Sequence, residues 1–448
     1  MNLLVLLLIA IPAVSSLSYF SRSFRPLSAV AAFITLCIAA VINVFSISVS
    51  GFFLVNEMSR IIALTVSAVY LLSVIFALGY HHHLGESRNM RLHLSMMHLF
   101  ASSMLFSLTV DNYGLLWIGI ESTTITSALL LVIEENKLNL EAAWRYVVIV
   151  SSGLAISLIS IIMIYKAFGT LDISVLLAEK HVYTPITEIA GATALIGFGT
   201  KIGIAPMHTW LPDAHSEAPS EISAMFSGVL LPVAAYALYR IYQVTGSPRM
   251  EALYIFFALI TIATAALMMP SQRFYKRMFA YSTMENMAMI VIGLTIGGIG
   301  FTGAIVLLVS HAFGKAGAFY SSGNIISATG KKRIDEVKGL RDTMPQSWYV
   351  LLLSSLAVTG APPSGTFIGV FLIFLGLADR GLLAVAAIIA VMMLVTFASV
   401  NMKVLSMTLS VGKDQAIQEA GRLQRAIAVS SVAMSTVVSV AFLIAGGI

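Results

Sequence analysis

The sequence predicts an all-α, polytopic membrane protein of about 14 transmembrane helices, with two inverted five-helix repeats and broken helices inside them. Three observations carry that expectation. Of 448 residues, 58% are hydrophobic and only 10% charged, with a mean hydropathy of +0.92, whereas a water-facing globular chain carries about 25% charged residues. Apolar runs at or beyond the roughly 20 residues needed to cross a bilayer recur from end to end. Short polar turns separate them, and none is long enough to be a soluble domain.

In chain order the spans are expected near 2–20, 27–50, 61–80, 92–110, 112–133, 141–165, 186–205, 221–243, 251–270, 277–297, 299–327, 346–376, 381–409 and 426–447. The opening MNLLVLLLIAIPAVSS has no basic flank and more spans follow at once, so it is read as the first helix, not as a signal peptide. Arg22, Arg25 and Pro26 separate the first two spans. Gly85 to Arg88 follows the His81–His83 run, and Glu134 to Asn139 forms another polar turn. The histidine run is read as a solvated loop without carboxylate partners, not as a metal site. The lone Cys37 lies in an apolar run, which excludes a disulfide framework and a cysteine metal site. No glycine-rich dinucleotide loop and no iron–sulfur cysteine set is present, so no redox module is expected in this chain. The net charge of +5 is dispersed over loops and does not mark a nucleic-acid partner.

The loop charges orient the bundle. One set of loops carries most of the basic residues, among them Arg22, Arg25, Arg88, Arg273, Lys276, Lys331, Lys332, Arg333 and Lys413, while the other has only a few, such as Arg60, Lys166 and Lys180. Positive loops mark the cytoplasmic side, which places both termini outside. Of the 26 Lys and Arg residues, Lys201, Lys315 and Lys403 fall within spans.

An ionisable group at mid-membrane costs about 2.5–3.5 kcal/mol on insertion scales, so it needs a partner or a hydrated path. Glu121 lies mid-span among Ser and Thr residues. It fits a proton-loading site in which a carboxylate governs how firmly a neighbouring lysine holds its proton, or alternatively a structural ion pair between helices. Lys201 lies in IGFGTKIGIAPMHTWLPDAH, a glycine-rich segment then broken by Pro206 and Pro212. Freed backbone groups at membrane depth are tolerated where they line a cavity. The polar tail His208, Asp213, His215, Glu217 and Glu221 reads equally as a proton entrance or as a solvated loop. His311 and Lys315, four residues apart, share a helix face and suit a proton relay, since histidine titrates near neutrality. Lys403, near its span's end, can snorkel outward and is given no role.

The plan repeats along the chain. Residues 1–111 hold N-terminal helices, 112–243 a first five-helix repeat broken at Pro206, 251–409 a second broken at GAPPSG (360–365), and 410–448 a C-terminal helix. Two odd-numbered units with broken helices suggest the inverted repeats common in transporters.

Four motifs then carry a resemblance: WIGIE at 117–121, APMHTWLPDAHSEAPSEISA at 205–224, AYSTMENM at 280–287 and SHAFGKA at 310–316. Over roughly residues 90–410 the chain resembles the antiporter-like subunits shared by complex I, Mrp-type cation/proton antiporters and membrane-bound hydrogenases, with LPDAHSEAP closest to the hydrogenase-type branch. The resemblance implies a central polar axis in the membrane plane. It makes Glu121 the fifth-helix glutamate, Lys201 the seventh-helix lysine, and His311 with Lys315 the central pair. It also implies no cofactor, partners among other membrane subunits and a peripheral redox module, and movement of protons or exchange of sodium for protons. One departure stands out. Many relatives place a Lys or Glu on the twelfth helix after the break, where SGTFIGVFLIF here has Gly369 and Val370. The exit route in the second half is therefore expected to stop near Lys315 or to divert. A degenerate copy acting as a structural spacer is the alternative function, and an independent small-solute transporter is disfavoured for want of a substrate-sized polar site.

Overall fold

The computed structural model describes residues 2–81, 87–133, 137–179, 183–410 and 419–444. His82, His83, residues 134–136 of the expected polar turn, Lys180 and Lys413 lie outside that set. Among the described residues the chain is helical, with β-structure confined to isolated bridges such as Val49–Val55 and Phe53–Val110. Among the described residues, twelve helices are long and apolar enough to cross a membrane, from Asn2–Phe20 to Arg422–Ile444. Each coincides with an expected span to within a few residues.

The remaining two expected spans are the two expected to be broken. The seventh is the helix Pro185–Ile202, followed by a non-helical stretch and the short helix Trp210–Glu217. Thr184 starts it with a reciprocal capping box, and Pro185 occupies its first turn, where a missing N–H costs nothing. Gly203 ends it with φ +88°, a conformation glycine adopts without a Cβ clash. The twelfth is split into Trp348–Val358 and Gly365–Asp379, 11 and 15 residues long, each too short to cross alone. Asn286 Nδ2 donates to the carbonyl of Val358 at 2.9 Å, satisfying a group freed by the break. Asn401 Nδ2 donates to Thr359 Oγ1 at 3.0 Å. Ser364 caps the second half by accepting from the Phe367 N–H.

The chain packs as two units: Met1–Trp210 with Val229–Ile255, and Leu211–Gly228 with Phe256–Ile448. In the first, the helix Lys137–Phe168 packs closely on Pro185–Ile202. A Cβ on Gly197 would lie 2.5 Å from the Ser157 backbone nitrogen, so only glycine allows this approach. In the second, the helix Tyr275–Ile296 is buried at every residue but Arg277. There Gly369 faces the backbone of Leu307, whose nitrogen would be 2.5 Å from an added Cβ. His81 differs from the solvated-loop expectation: it is fully buried, its ring 5.0 Å from that of His93. The expectation failed because the Glu57–Tyr80 helix ends on His81 and turns it inward before the loop begins.

Candidate proton-transfer sites

In the first unit three helices bring a carboxylate and a lysine together. Tyr113–Leu131, capped by Asn112, carries Glu121, Thr124 and Ser127 at three-residue spacing and so on one face. Lys137–Phe168 contributes Tyr146 and Ser151, and the last turn of Pro185–Ile202 contributes Lys201. Lys201 is fully buried, and its Nζ donates to Tyr146 Oη at 2.6 Å and to Thr124 Oγ1 at 2.9 Å. It also lies 4.9 Å from the centre of the Tyr146 ring, a cation–π position. Tyr146 Oη bonds in turn to Ser127 Oγ at 2.7 Å. Glu121 Oε1 accepts from Ser151 Oγ at 2.7 Å, and its Oε2 is buried without a hydrogen-bond partner among the described residues. Glu121 and Lys201 interact electrostatically, yet hydroxyl groups and not the carboxylate hold the ammonium. A structural ion pair gains its strength from direct, hydrogen-bonded contact; that contact is missing here.

In the second unit, the 32-residue helix Gly298–Thr329 carries His311 and Lys315, both fully buried. Their shared face splits between two partners. His311 Nε2 donates to the Ser227 carbonyl at 3.3 Å, and Lys315 Nζ donates to the Phe279 carbonyl at 2.9 Å. Ser227 belongs to a single π-helical turn, Phe226–Leu230, a local widening frequent at functional sites. Its hydroxyl bonds to Thr283 Oγ1 at 2.6 Å.

The expected entrance residues separate. His208, in the first unit, is half-buried in the stretch after Gly203. In the second unit Asp213 and Glu217 lie one turn apart, their side chains 22% and 19% exposed, paired with Arg277 at 3.3 Å and Lys332 at 3.4 Å. His215, about 200° round the same helix from Asp213, is fully buried and stacks on Phe319 with ring centres 5.0 Å apart. It acts electrostatically on His311. Lys403 does not snorkel freely: its Nζ donates to the carbonyls of Met269 and Gln272, at 2.9 and 2.6 Å, where a helix end presents them.

Sequence reasoning passed over Tyr146, Ser151, Glu285 and Thr396. Glu285 is 2% exposed and accepts at Oε1 from Thr396 Oγ1 at 2.6 Å. The rule that singled out Lys201, an ionisable residue inside an apolar span, applies to it equally. The hydroxyl partners had no comparable signal, because Ser, Thr and Tyr are common in transmembrane helices. A second buried pair, Tyr70 Oη with His98 Nδ1, is extended by His98 Nε2 to Ser28 Oγ at 2.8 Å; no motif announced it either.

The family described as NADH:quinone oxidoreductase/Mrp antiporter, TM, matches residues 110–398. By sequence the chain is 30% identical over 347 residues to a hydrogenase-4 component F homolog of Methylacidiphilum infernorum (isolate V4), covering 72% of each chain. It is 32% identical over 265 residues to NADH-quinone oxidoreductase subunit N of Desulforudis audaxviator, spanning 52% of that protein. Among solved structures, a chain of the membrane-bound sulfane sulfur reductase, an archaeal respiratory membrane complex, superposes with a TM-score of 0.88 at 22% identity, covering 97% of this chain and 94% of that one. A chain of the Mrp complex from Dietzia sp. DQ12-45-1b gives 0.86 at 18% identity, covering 99% and 96%. These structural likenesses establish the shared fold, and the family match spans more than half of the sequence. This multi-pass membrane chain belongs to the family of transmembrane subunits shared by NADH:quinone oxidoreductases and Mrp antiporters.

Proposed function

We propose that this chain is a proton-translocating, antiporter-like subunit of a membrane-bound respiratory oxidoreductase complex, with sodium/proton exchange as a variant of the same chemistry. Electron transfer then belongs to partner subunits and a peripheral redox module, and the chain carries out no redox step on its own. The observation that carries this reading is Lys201: a fully buried ammonium held by two neutral hydroxyls, with Glu121 acting at a distance. A lysine so held can lose and regain its proton without breaking an ion pair, which is what a carrier requires. Glu121 modulates it, and His311 with Lys315 serves as the bridge in the second unit. In the second unit Asp213 and Glu217 serve as the outer end of a proton entrance and His215 as its buried end, while His208 serves as an entrance residue of the first unit.

Two five-helix repeats underlie the arrangement. The first is taken as 112–243 and the second as 251–409. In this reading the chain lies in the cell membrane, and the excess of basic residues on one set of loops supports both termini lying outside. The spacer reading has one observation in its favour: the Gly365–Asp379 helix has no ionisable side chain in its middle. The test is Lys201→Ala in the complex purified from its native membrane and reconstituted into vesicles. Ion movement is lost with assembly intact. Wild-type movement would rule out the proposed role.

A further inference from the structure

The second unit has a buried acid that neither the motif expectations nor the family description assigns. Glu285 lies mid-way along Tyr275–Ile296, the helix buried at every residue but Arg277. Its one hydrogen bond among the described residues comes from Thr396 Oγ1, on the helix Leu383–Leu409. Lys315 is the ionisable group that acts on it. Their contact is electrostatic and not a direct ion pair, since the Lys315 ammonium is bonded to the Phe279 carbonyl of the same helix that carries Glu285.

The first unit has this same arrangement. Glu121 accepts one hydroxyl hydrogen bond, Lys201 is held by neutral oxygens, and the two charges act on each other without touching. Each unit thus contains a buried lysine and an acid that act on each other without direct contact; the second unit also buries Glu221 and Lys276. A buried carboxylate and ammonium fixed in place for stability would be expected in contact, because an unpaired buried charge is costly. Held apart, neither charge is locked in an ion pair, and a proton passes between them through a bridging water or on closer approach, leaving both neutral.

The position where many relatives are expected to carry a charge cannot do so here. Gly369 meets the Leu307 backbone at 2.5 Å from any added Cβ, and Val370 is apolar and 8% exposed. The acid has to come from another helix.

We propose that Glu285, oriented by Thr396, is the proton-exchange partner of Lys315 and the acidic site of the second unit. In the forward step an N–H bond of the Lys315 ammonium breaks and an O–H bond forms on the Glu285 carboxylate, leaving a neutral amine and a carboxylic acid; the reverse step restores both charges. The route therefore diverts from the twelfth span to the tenth and thirteenth. Thr396 is a positioning residue in this scheme. The inference rests on the ion-translocating reading above.

The experiment uses the complex purified from its native membrane and reconstituted into vesicles, comparing Glu285→Gln, Thr396→Val and Lys201→Ala with wild type. Glu285→Gln is expected to lower proton movement per assembled complex about tenfold or more. If Lys201→Ala abolishes movement while Glu285→Gln retains it, this inference falls and the function stands. If both retain it, both fall. Difference infrared spectra across a pH jump give the second readout, which still decides the matter if Glu285→Gln fails to assemble. Wild type is expected to show a carboxyl band that titrates and that shifts in Thr396→Val when its hydrogen bond is lost. A titrating band unmoved in Thr396→Val, or no titrating carboxyl in wild type beyond those lost in Glu121→Gln, overturns the proposal.

Discussion

Replacing Gly197 by alanine tests whether the spacing of two helices sets the activity of Lys201. The added Cβ would lie 2.5 Å from Ser157 N and 2.7 Å from Ser157 Cα, which are backbone atoms that cannot rotate away. Ordinary carbon contacts are about 3.5–4.0 Å, so the helices must part locally by about 1 Å. Lys201 is one turn further along the same helix, and Tyr146 is on the helix it would be pushed from. The 2.6 Å bond from Lys201 Nζ to Tyr146 Oη would stretch to roughly 3.6 Å, beyond hydrogen-bonding distance. A charge-assisted bond of this kind contributes about 1.5–3 kcal/mol, and about 1.4 kcal/mol is a factor of ten. Proton movement per assembled complex should therefore fall about ten- to hundredfold. Overpacking adds about 1–3 kcal/mol of destabilisation, seen as a lower Tm. Gly199→Ala is the control, because its Cβ would meet Ile204 at 3.5 Å, an ordinary contact. It should assemble and translocate as wild type does. Equal activity of the two alanine variants would refute the argument.

Glu121→Gln should impair translocation less than Lys201→Ala, since Ser151 can still donate to the carbonyl oxygen that glutamine keeps. Unchanged rates with lower thermal stability would mark Glu121 as structural. Val370→Glu should leave flux per assembled complex unchanged, because Glu285 already supplies an acid; a gain in flux would show that the twelfth span limits exit. The double variant Asp213→Asn/Glu217→Gln should change stability by no more than about 1 kcal/mol, since ion pairs whose basic partners, Arg277 and Lys332, reach solvent contribute little. It should slow translocation most at low ionic strength, where unscreened carboxylates attract protons furthest; a salt-independent rate would remove them from the entrance.

Much of the helical plan was legible in the sequence because the bilayer imposes a length and a polarity that composition cannot hide. The breaks at Pro206 and at Pro362–Pro363 were legible for the same reason: proline and glycine at membrane depth have few other uses. The lysines were legible as costly exceptions, and Glu285 could have been. Tyr146 and Thr396 were not, since a hydroxyl's role depends on which helix it faces, and that is decided by tertiary packing. The same limit hid His215. Its neighbours Asp213 and Glu217 look polar in a row, yet the helix turns the histidine inward against Phe319. Gly369 read as a missing charge, and only the backbone of Leu307 gives the reason.

Glu285 and Asn286 are consecutive residues, and they hold different things. The first reaches Thr396, while the second grips the Val358 carbonyl at the edge of the broken helix. The acid and the anchor of the break thus share one peptide unit. A force on the end of Trp348–Val358 would bear on the same stretch of helix that carries the carboxylate. Mechanical strain and proton affinity become two readings of a single displacement, and a neighbouring subunit pressing on that helix end would have its hand on the site without touching it.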